Sequence, residues 1–159
     1  MLRFARMQTK THLLVRRYSI VLASVVFVGA LGGAALAADA TCNFQRGQEW
    51  SVKSGDGANV VIGRVENWHA EKVVHVSITN IQIPAGLPGA GTSTEISHAP
   101  FSCRSLRGSV GALINTDSAP SQGFEDGYQQ WQDANGGIVT IGVDEVIGLM
   151  LKWKRQSGN

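Results

Sequence analysis

Apolar and polar residues alternate along residues 59–68 and 73–83. Alternation with a period of two is typical of half-buried β-strands. Shorter segments of the same kind predict strands at residues 49–52 and 92–97. Short turns join the first strands, so we expect antiparallel pairing.

The alternation also assigns faces to the predicted strands. In residues 73–83, three apolar residues share one face, and we expect the polar residues on the other face to be exposed: Val74, Val76 and Ile78 against His75, Ser77 and Thr79. In residues 59–68, Gly63 lies between Val61 and Val65 on the predicted buried face. A glycine at such a position indicates a bulge or a close backbone approach.

The second half of the chain has the periodicity of helices. Phe124, Tyr128 and Trp131 stand at positions i, i+4 and i+7 among polar residues, which predicts an amphipathic helix. We expect this aromatic stripe to be core. A helix capped by Ser102 is predicted to run through Ile114, and another is predicted to follow Gly142. A short strand is predicted at residues 138–141.

The predicted order of elements is β-β-β-β-α-α-β-α. Runs of strands followed by helices are typical of the α+β class. We therefore expect an antiparallel sheet of four to five strands with two to three helices packed on one face.

The N-terminal segment has the pattern of an export signal. Residues 1–17 contain five basic residues and no acid, and an apolar run follows that ends in Ala35-Leu36-Ala37. Small residues at these two alanine positions match the site cleaved by signal peptidase. We expect cleavage after Ala37, leaving one domain over residues 38–159. An uncleaved membrane anchor is the alternative, and it is the only membrane contact that we expect.

Removing residues 1–37 changes the charge of the protein. The remaining residues include nine basic and twelve acidic side chains, a net charge of −3. This charge disfavours binding to nucleic acids. Two cysteines remain, Cys42 and Cys103, and an even count in an exported protein predicts one disulfide. Free or intermolecularly paired thiols are the alternative. We expect a periplasmic or secreted protein.

The segment at residues 95–103 holds the candidate catalytic residues. His98 has Glu95 and Ser102 near it in sequence, which are the residue types of a hydrolase. No glycine-flanked nucleophile elbow on a sharp turn is present, and adjacent residues such as Ser97 and His98 point to opposite faces of a strand. The spacing of His69, His75 and His98 resembles no zinc motif. We expect neither a metal nor a cofactor.

A binding role is the remaining hypothesis. The loop at residues 84–91 contains two prolines and three glycines, and long surface loops often carry binding function. We expect a non-catalytic binding protein, of the inhibitor or immunity type, with a protein or cell-envelope component as its partner. His75 and His98 are the candidate binding residues. A small hydrolase with a site centred on His98 is the alternative.

Three segments of the C-terminal half resemble a family of small uncharacterised bacterial proteins. They are Ser97-His98-Ala99-Pro100-Phe101-Ser102, Gly127-Tyr128-Gln129-Gln130-Trp131 and Gly136-Gly137-Ile138-Val139-Thr140-Ile141. The resemblance implies a shared fold and no particular activity.

Overall fold

The computed structural model describes residues 42–54 and 56–157. The predicted signal at residues 1–37 lies outside the described residues. The elements are β1 (Glu49–Val52), β2 (Asn59–Trp68), β3 (Glu71–Gln82), β4 (Ser93–Ser102), α1 (Cys103–Ser109), β5 (Val110–Asn115), α2 (Phe124–Asp133) and α3 (Val143–Ser157).

The five strands form one antiparallel sheet in the order β4-β3-β2-β1-β5. Strands β1 to β4 follow one another as hairpins, and β5 adds to the far side of β1. The predicted α+β class and the antiparallel sheet are therefore confirmed.

One face of the sheet carries the main apolar core. Its strand residues are β-branched or aromatic and fully or almost fully buried: Val60, Ile62, Val74, Val76, Ile78 and Phe101. Leu106 of α1 and Val143 of α3 pack into the same cluster. These two helices share this face because each presents an apolar stripe that must leave water.

Helix α2 covers the opposite face, so the three helices divide between both faces of the sheet, whereas the sequence placed them on one face. Its aromatic stripe, formed by Phe124, Tyr128 and Trp131, is buried as predicted. His75 and Ser77 lie beneath this helix and have no exposed surface. The expectation that their face is exposed is therefore wrong, because the sequence pattern does not show which helix will cover which strand.

The predicted helix over residues 102–114 is also wrong in its second half. Ser102 caps α1 as expected, since its Oγ accepts a hydrogen bond from the Ser105 backbone N–H at 3.2 Å. The helix ends at Ser109, and residues 110–115 become β5, whose Val110 pairs with Val52 of β1. Glycines at residues 108 and 111 weaken a helix here, and pairing with β1 supplies the alternative backbone hydrogen bonds.

Two further predictions concern the C-terminal half and the cysteines. The strand expected at residues 138–141 is reduced to one parallel bridge between Val139 and Phe101. The disulfide between Cys42 and Cys103 is confirmed, with 5.9 Å between the two Cα atoms. It ties the segment before β1 to the start of α1.

Within the described residues, no helix has both the length and the apolar character needed to cross a membrane.

Candidate functional site

A β-bulge in β2 brings polar side chains onto the face that α2 covers. The pairing of β2 with β3 shifts just before Arg64, so Gly63 is the extra residue, as its position predicted. Side chains alternate with a period of two, so one extra residue moves all later side chains to the other face. Arg64 and Glu66 therefore lie on the same face of the sheet as His75. Val65 lies on the other face, with Val74, and not on the face of Val61 as predicted.

A second irregularity in β4 does the same for His98. The pairing between β3 and β4 shifts around Ser77, so that residues 97 and 98 together oppose that one residue. His98 stands two residues before Pro100, which pairs with His75. The two histidines consequently lie on the same face of the sheet.

Both residues of this irregularity face α2. A Cβ added to Gly123 would stand 3.2 Å from Ser97 Cβ, and one added to Gly127 would stand 2.6 Å from His98 Cβ. The expectation that Ser97 and His98 point to opposite faces is therefore wrong. The strand is not regular at this point, which removes the basis of that expectation.

The two histidines and Glu66 form a chain of polar contacts. His75 Nδ1 lies 2.9 Å from His98 Nε2, and the two rings are stacked with 5.2 Å between their centroids. On its other side, His75 Nε2 lies 2.9 Å from Glu66 Oε1. This second contact is short, but it lacks the geometry of a regular hydrogen bond.

The contacts are compatible with one arrangement of protons along this chain, in which the tautomer of each ring follows from its partner. A carboxylate accepts hydrogen bonds only, so Glu66 favours a proton on His75 Nε2. A neutral His75 then has a lone pair on Nδ1, which accepts a hydrogen bond from His98 Nε2–H. In this arrangement, His98 carries its own lone pair on Nδ1.

Burial keeps both histidines neutral. It is the main cause that lowers the pKa of His75 to about 3, and the positive charges that His98 and Arg64 can carry lower the pKa further. Burial also lowers the pKa of His98, and the carboxylate of Glu125 acts in the opposite direction. The contact between His75 and Glu66 is therefore one between a neutral ring and a carboxylate, not a salt bridge.

Tyr128 completes the surroundings of Glu66. Its hydroxyl donates to Glu66 Oε1 at 3.1 Å, and Arg64 lies over its ring with 4.1 Å from Cζ to the centroid. Burial, followed by the contact with Glu66, raises the pKa of Tyr128. Arg64 also reaches Glu125 of α2 at 3.5 Å. Both charged residues of β2 are thus engaged with α2.

Aromatic rings pack closely around the histidines. The Trp131 ring meets His75 edge to face at 4.6 Å between centroids, and the Phe124 ring meets His98 at 5.4 Å. Trp131 Nε1 donates to the Gly137 carbonyl at 2.8 Å, which fixes the orientation of the indole. His75 is fully buried in this packing, whereas His98 and Glu66 are half-buried at its margin.

The other predicted catalytic residues do not join this cluster. Glu95 accepts a hydrogen bond from Ser121 at the surface, and Ser102 Oγ donates to Ser105 Oγ within the cap of α1. Among the hydrogen bonds of the described residues, none links either side chain to His98. His69 lies in the β2–β3 turn, where it contacts Asn135 at 3.2 Å.

The loop at residues 84–91 is compact. Leu87 is buried, and backbone hydrogen bonds join Ala90 to Leu87 and Gly91 to Ile83. The loop therefore holds itself against the sheet through one apolar side chain, and its remaining residues are exposed. Its role in binding stays a prediction.

Several surface cavities occur in the described part of the chain, and three of them have no lining from His75, His98 or Glu66. The largest of these three, about 600 Å³, lies between the end of α1 and the start of α3. A second, about 290 Å³, lies beside β5 and includes Phe44 and Trp50. The third, about 340 Å³, lies between α3 and the β3 end, near Ile147.

The described residues contain no group of three His, Cys, Asp or Glu side chains arranged to hold a metal ion. The cluster can hold a proton between two rings and orient His98, and it contains no nucleophile hydrogen-bonded to His98. Sequence reasoning selected His75 and His98 but did not place Arg64, Glu66 and Tyr128 beside them. The signal that could have found them is Gly63, since a bulge there exchanges the faces of β2.

Comparisons of the chain with protein-family models, with curated proteins and with solved structures find no match.

Proposed function

We propose that this protein is an exported, non-catalytic binding protein of the inhibitor or immunity type, with a protein or another component of the cell envelope as its partner. The observation that carries the proposal is the outer face of α3. Trp153 is 73% exposed and Leu149 is 58% exposed. They stand four residues apart and therefore lie together on the helix surface.

Contiguous exposed apolar surface marks interaction sites. Tryptophan is enriched among the residues that contribute most to protein interfaces. The packing of α3 on the domain does not depend on Leu149 and Trp153, because Val143, Val146 and Met150 already pack against the core. Trp153 and Leu149 are thus free to serve a partner.

The charges around this patch indicate the chemistry of the partner. Lys152 and Arg155 are exposed beside Trp153 on the last turns of α3. A partner with an apolar pocket and carboxylates on its rim is complementary to this surface. Rim charges of this kind raise the rate of association more than the affinity.

Two kinds of observation support a periplasmic or secreted location. The disulfide between Cys42 and Cys103 is typical of proteins outside the reducing cytosol. The signal pattern of residues 1–37 supports export and cleavage after Ala37. The intact mass of the envelope-fraction protein tests the cleavage, since an N-terminus at Met1 would mean an anchored protein.

Photo-crosslinking tests the binding surface. A photoreactive amino acid replaces Trp153 in the cell that makes the protein, and a second protein carries it at Gln129, an exposed residue of α2. We expect a discrete crosslinked product at position 153 and none at position 129. Leu149→Glu in the first protein should abolish the product. Equal labelling at both positions, or none at 153, would refute the proposed surface.

One observation favours a second candidate function, a small hydrolase that uses His98. In the arrangement of protons that the contacts of Glu66, His75 and His98 favour, His98 Nδ1 has a free lone pair, as a general base needs. A positioned nucleophile would still be needed. A broad hydrolase screen of the wild-type protein and of His98→Ala distinguishes this candidate from the first.

A further inference from the structure

The cavity of about 290 Å³ beside β5 has one apolar wall, formed by Phe44, Trp50, Val110 and Leu113. Phe44 and Val110 are buried, Trp50 is half-buried and Leu113 is exposed, so this wall extends from the core to the surface. Small-molecule sites have volumes of about 300–1,000 Å³ and are lined mainly by apolar and aromatic side chains. The cavity lies near the lower end of this range.

Two rings form the aromatic part of the wall. Phe44 and Trp50 meet edge to face, with 5.6 Å between the ring centroids. Trp50 Nε1 donates to Gln48 Oε1 at 3.3 Å, which orients the indole. Aromatic rings prefer offset or edge-to-face contacts, and a third ring can add to an existing pair in either way. The wall therefore favours a ligand with an aromatic ring.

The polar side of the cavity supplies hydrogen-bond donors. Arg107 Nη2 donates to Asn43 Oδ1 at 2.7 Å. A guanidinium has five N–H groups, and the others have no partner among the hydrogen bonds of residues 42–54 and 56–157. Neither ion pair between described residues includes Arg107. Among the described residues that line the cavity, none is acidic. The polar side therefore favours a negatively charged ligand.

The disulfide fixes the cation relative to the aromatic wall. Cys42 directly precedes Asn43 and Phe44, and Cys103 stands four residues before Arg107 on α1. Residues four apart lie on the same face of a helix. Arg107 Cζ lies 5.8 Å from the centroid of the Phe44 ring, as in a cation–π contact. Groups that are positioned before a ligand arrives lower the entropy cost of binding.

We propose that this cavity binds a small aromatic carboxylate, with its ring against Phe44 and Trp50 and its carboxylate on Arg107. The guanidinium fork matches a planar carboxylate and binds it through two parallel N–H···O bonds. One cation balances the single charge of a carboxylate, whereas a phosphate monoester carries about 1.5 to 2 negative charges.

The volume limits the size of this ligand. About 290 Å³ equals the share of roughly ten water molecules in liquid water. This space suits one six-membered ring with a short acidic side chain. No described residue of α3 lines the cavity, so the site does not depend on the binding surface proposed for that helix.

Nuclear magnetic resonance of the exported, isotope-labelled protein tests the site, with phenylacetate as the probe. The indole N–H signal of Trp50 reports on the cavity. The indole signals of Trp68 and Trp131 are internal references, because these two rings pack on each other and do not line the cavity. We expect phenylacetate to shift the Trp50 signal in a saturable way and to leave the references in place. Phenylacetamide, which has no charge, and acetate, which has no ring, should each bind about tenfold more weakly or less.

Two arginines of α1 supply a matched pair of variants. Arg107→Gln should weaken phenylacetate binding about tenfold or more, because charge-assisted hydrogen bonds are lost. Arg107→Lys keeps the charge without the fork, so its affinity should be intermediate. Arg104 is also exposed but does not line the cavity, and Arg104→Gln should bind as the wild type does. Circular dichroism checks that each variant is folded.

Three results would overturn the proposal. The first is a Trp50 signal that phenylacetate does not shift, or that shifts together with both references. The second is equal binding of phenylacetate and phenylacetamide. The third is an equal loss of affinity in Arg107→Gln and Arg104→Gln. Photo-crosslinking at Trp153 is a separate measurement, so failure at the cavity and failure of the proposed surface on α3 are distinguishable.

Discussion

The ring of Phe124 lies directly over Gly63, in the space that a side chain at this position would need. Gly63 is the bulged residue of β2, and Phe124 is the first residue of α2. One contact thus joins the bulge that turns Glu66 toward His75 to the helix that covers both.

Replacement of this glycine should be costly. We expect Gly63→Ala to lower the free energy of unfolding by about 1–3 kcal/mol or more, because overpacking a filled site forces neighbouring groups to move. Denaturant melts measure the change. Gly137→Ala is the control, since no atom lies within 4 Å of its added Cβ, and it should change stability little. Equal effects of the two substitutions would contradict the proposed contact.

The disulfide should contribute substantially to stability. Its cysteines are 61 residues apart in sequence. We expect the double replacement of Cys42 and Cys103 by serine to cost about 2–5 kcal/mol, chiefly because the unfolded chain gains freedom. Reduction of the wild type should produce the same loss in denaturant melts. Two alkylatable thiols in freshly isolated native protein would show that the bridge does not form.

Trp131 should be one of the most sensitive positions in α2. It packs on Trp68 at 4.6 Å between ring centroids and is only 9% exposed. We expect Trp131→Ala to cost about 3–5 kcal/mol. Trp131→Phe keeps an aromatic ring but loses the hydrogen bond to the Gly137 carbonyl, so it should cost less. A loss below about 1 kcal/mol for alanine would mean that the stripe contributes little to the core.

Acid should destabilise the protein at a mild pH. The pKa of His75 falls from 6.5 to about 3 on folding, and the pKa of His98 is lowered as well. The unfolded chain therefore binds more protons below pH 6.5, so the stability from these groups is present above that pH and declines toward pH 3. Each unit of pKa difference corresponds to about 1.4 kcal/mol. Melting temperatures measured between pH 8 and pH 4 check this, and His75→Gln should flatten the profile. A wild-type melting temperature that is constant between pH 7 and pH 5 would contradict it.

Local patterns predicted most of the elements but not how they face one another. The strands β2 and β3, the stripe of Phe124, Tyr128 and Trp131, and the disulfide follow from periodicity and composition. Gly63 indicated a bulge or a close backbone approach, but neither the exchange of faces that follows it nor the irregularity around Ser97 could be predicted, because a shift of register depends on the partner strand. Each bulge exchanges faces, and the grouping of Glu66, His75 and His98 depends on both.

The transition from α1 to β5 was missed for a related reason. Residues 110–115 contain apolar residues that fit either a helix stripe or a strand. Pairing with β1 decides between helix and strand, because β1 supplies backbone hydrogen-bond partners that lie about 60 residues away in sequence. Sequence periodicity is a local pattern and does not reveal a contact over such a distance. Gly108 and Gly111, however, indicated that a helix over these residues would be weak.

The most direct test of the central claim, that the cluster beneath α2 is structural and that the protein acts by binding, is the stability of His98→Ala. Removal of His98 leaves His75 Nδ1 without its partner at 2.9 Å. We expect the free energy of unfolding to fall by about 1–3 kcal/mol, as for the loss of a buried hydrogen bond, in a thermal melt against the wild type. An unchanged melting temperature, together with the loss of a hydrolytic activity that the wild type shows in a broad screen, would contradict the account.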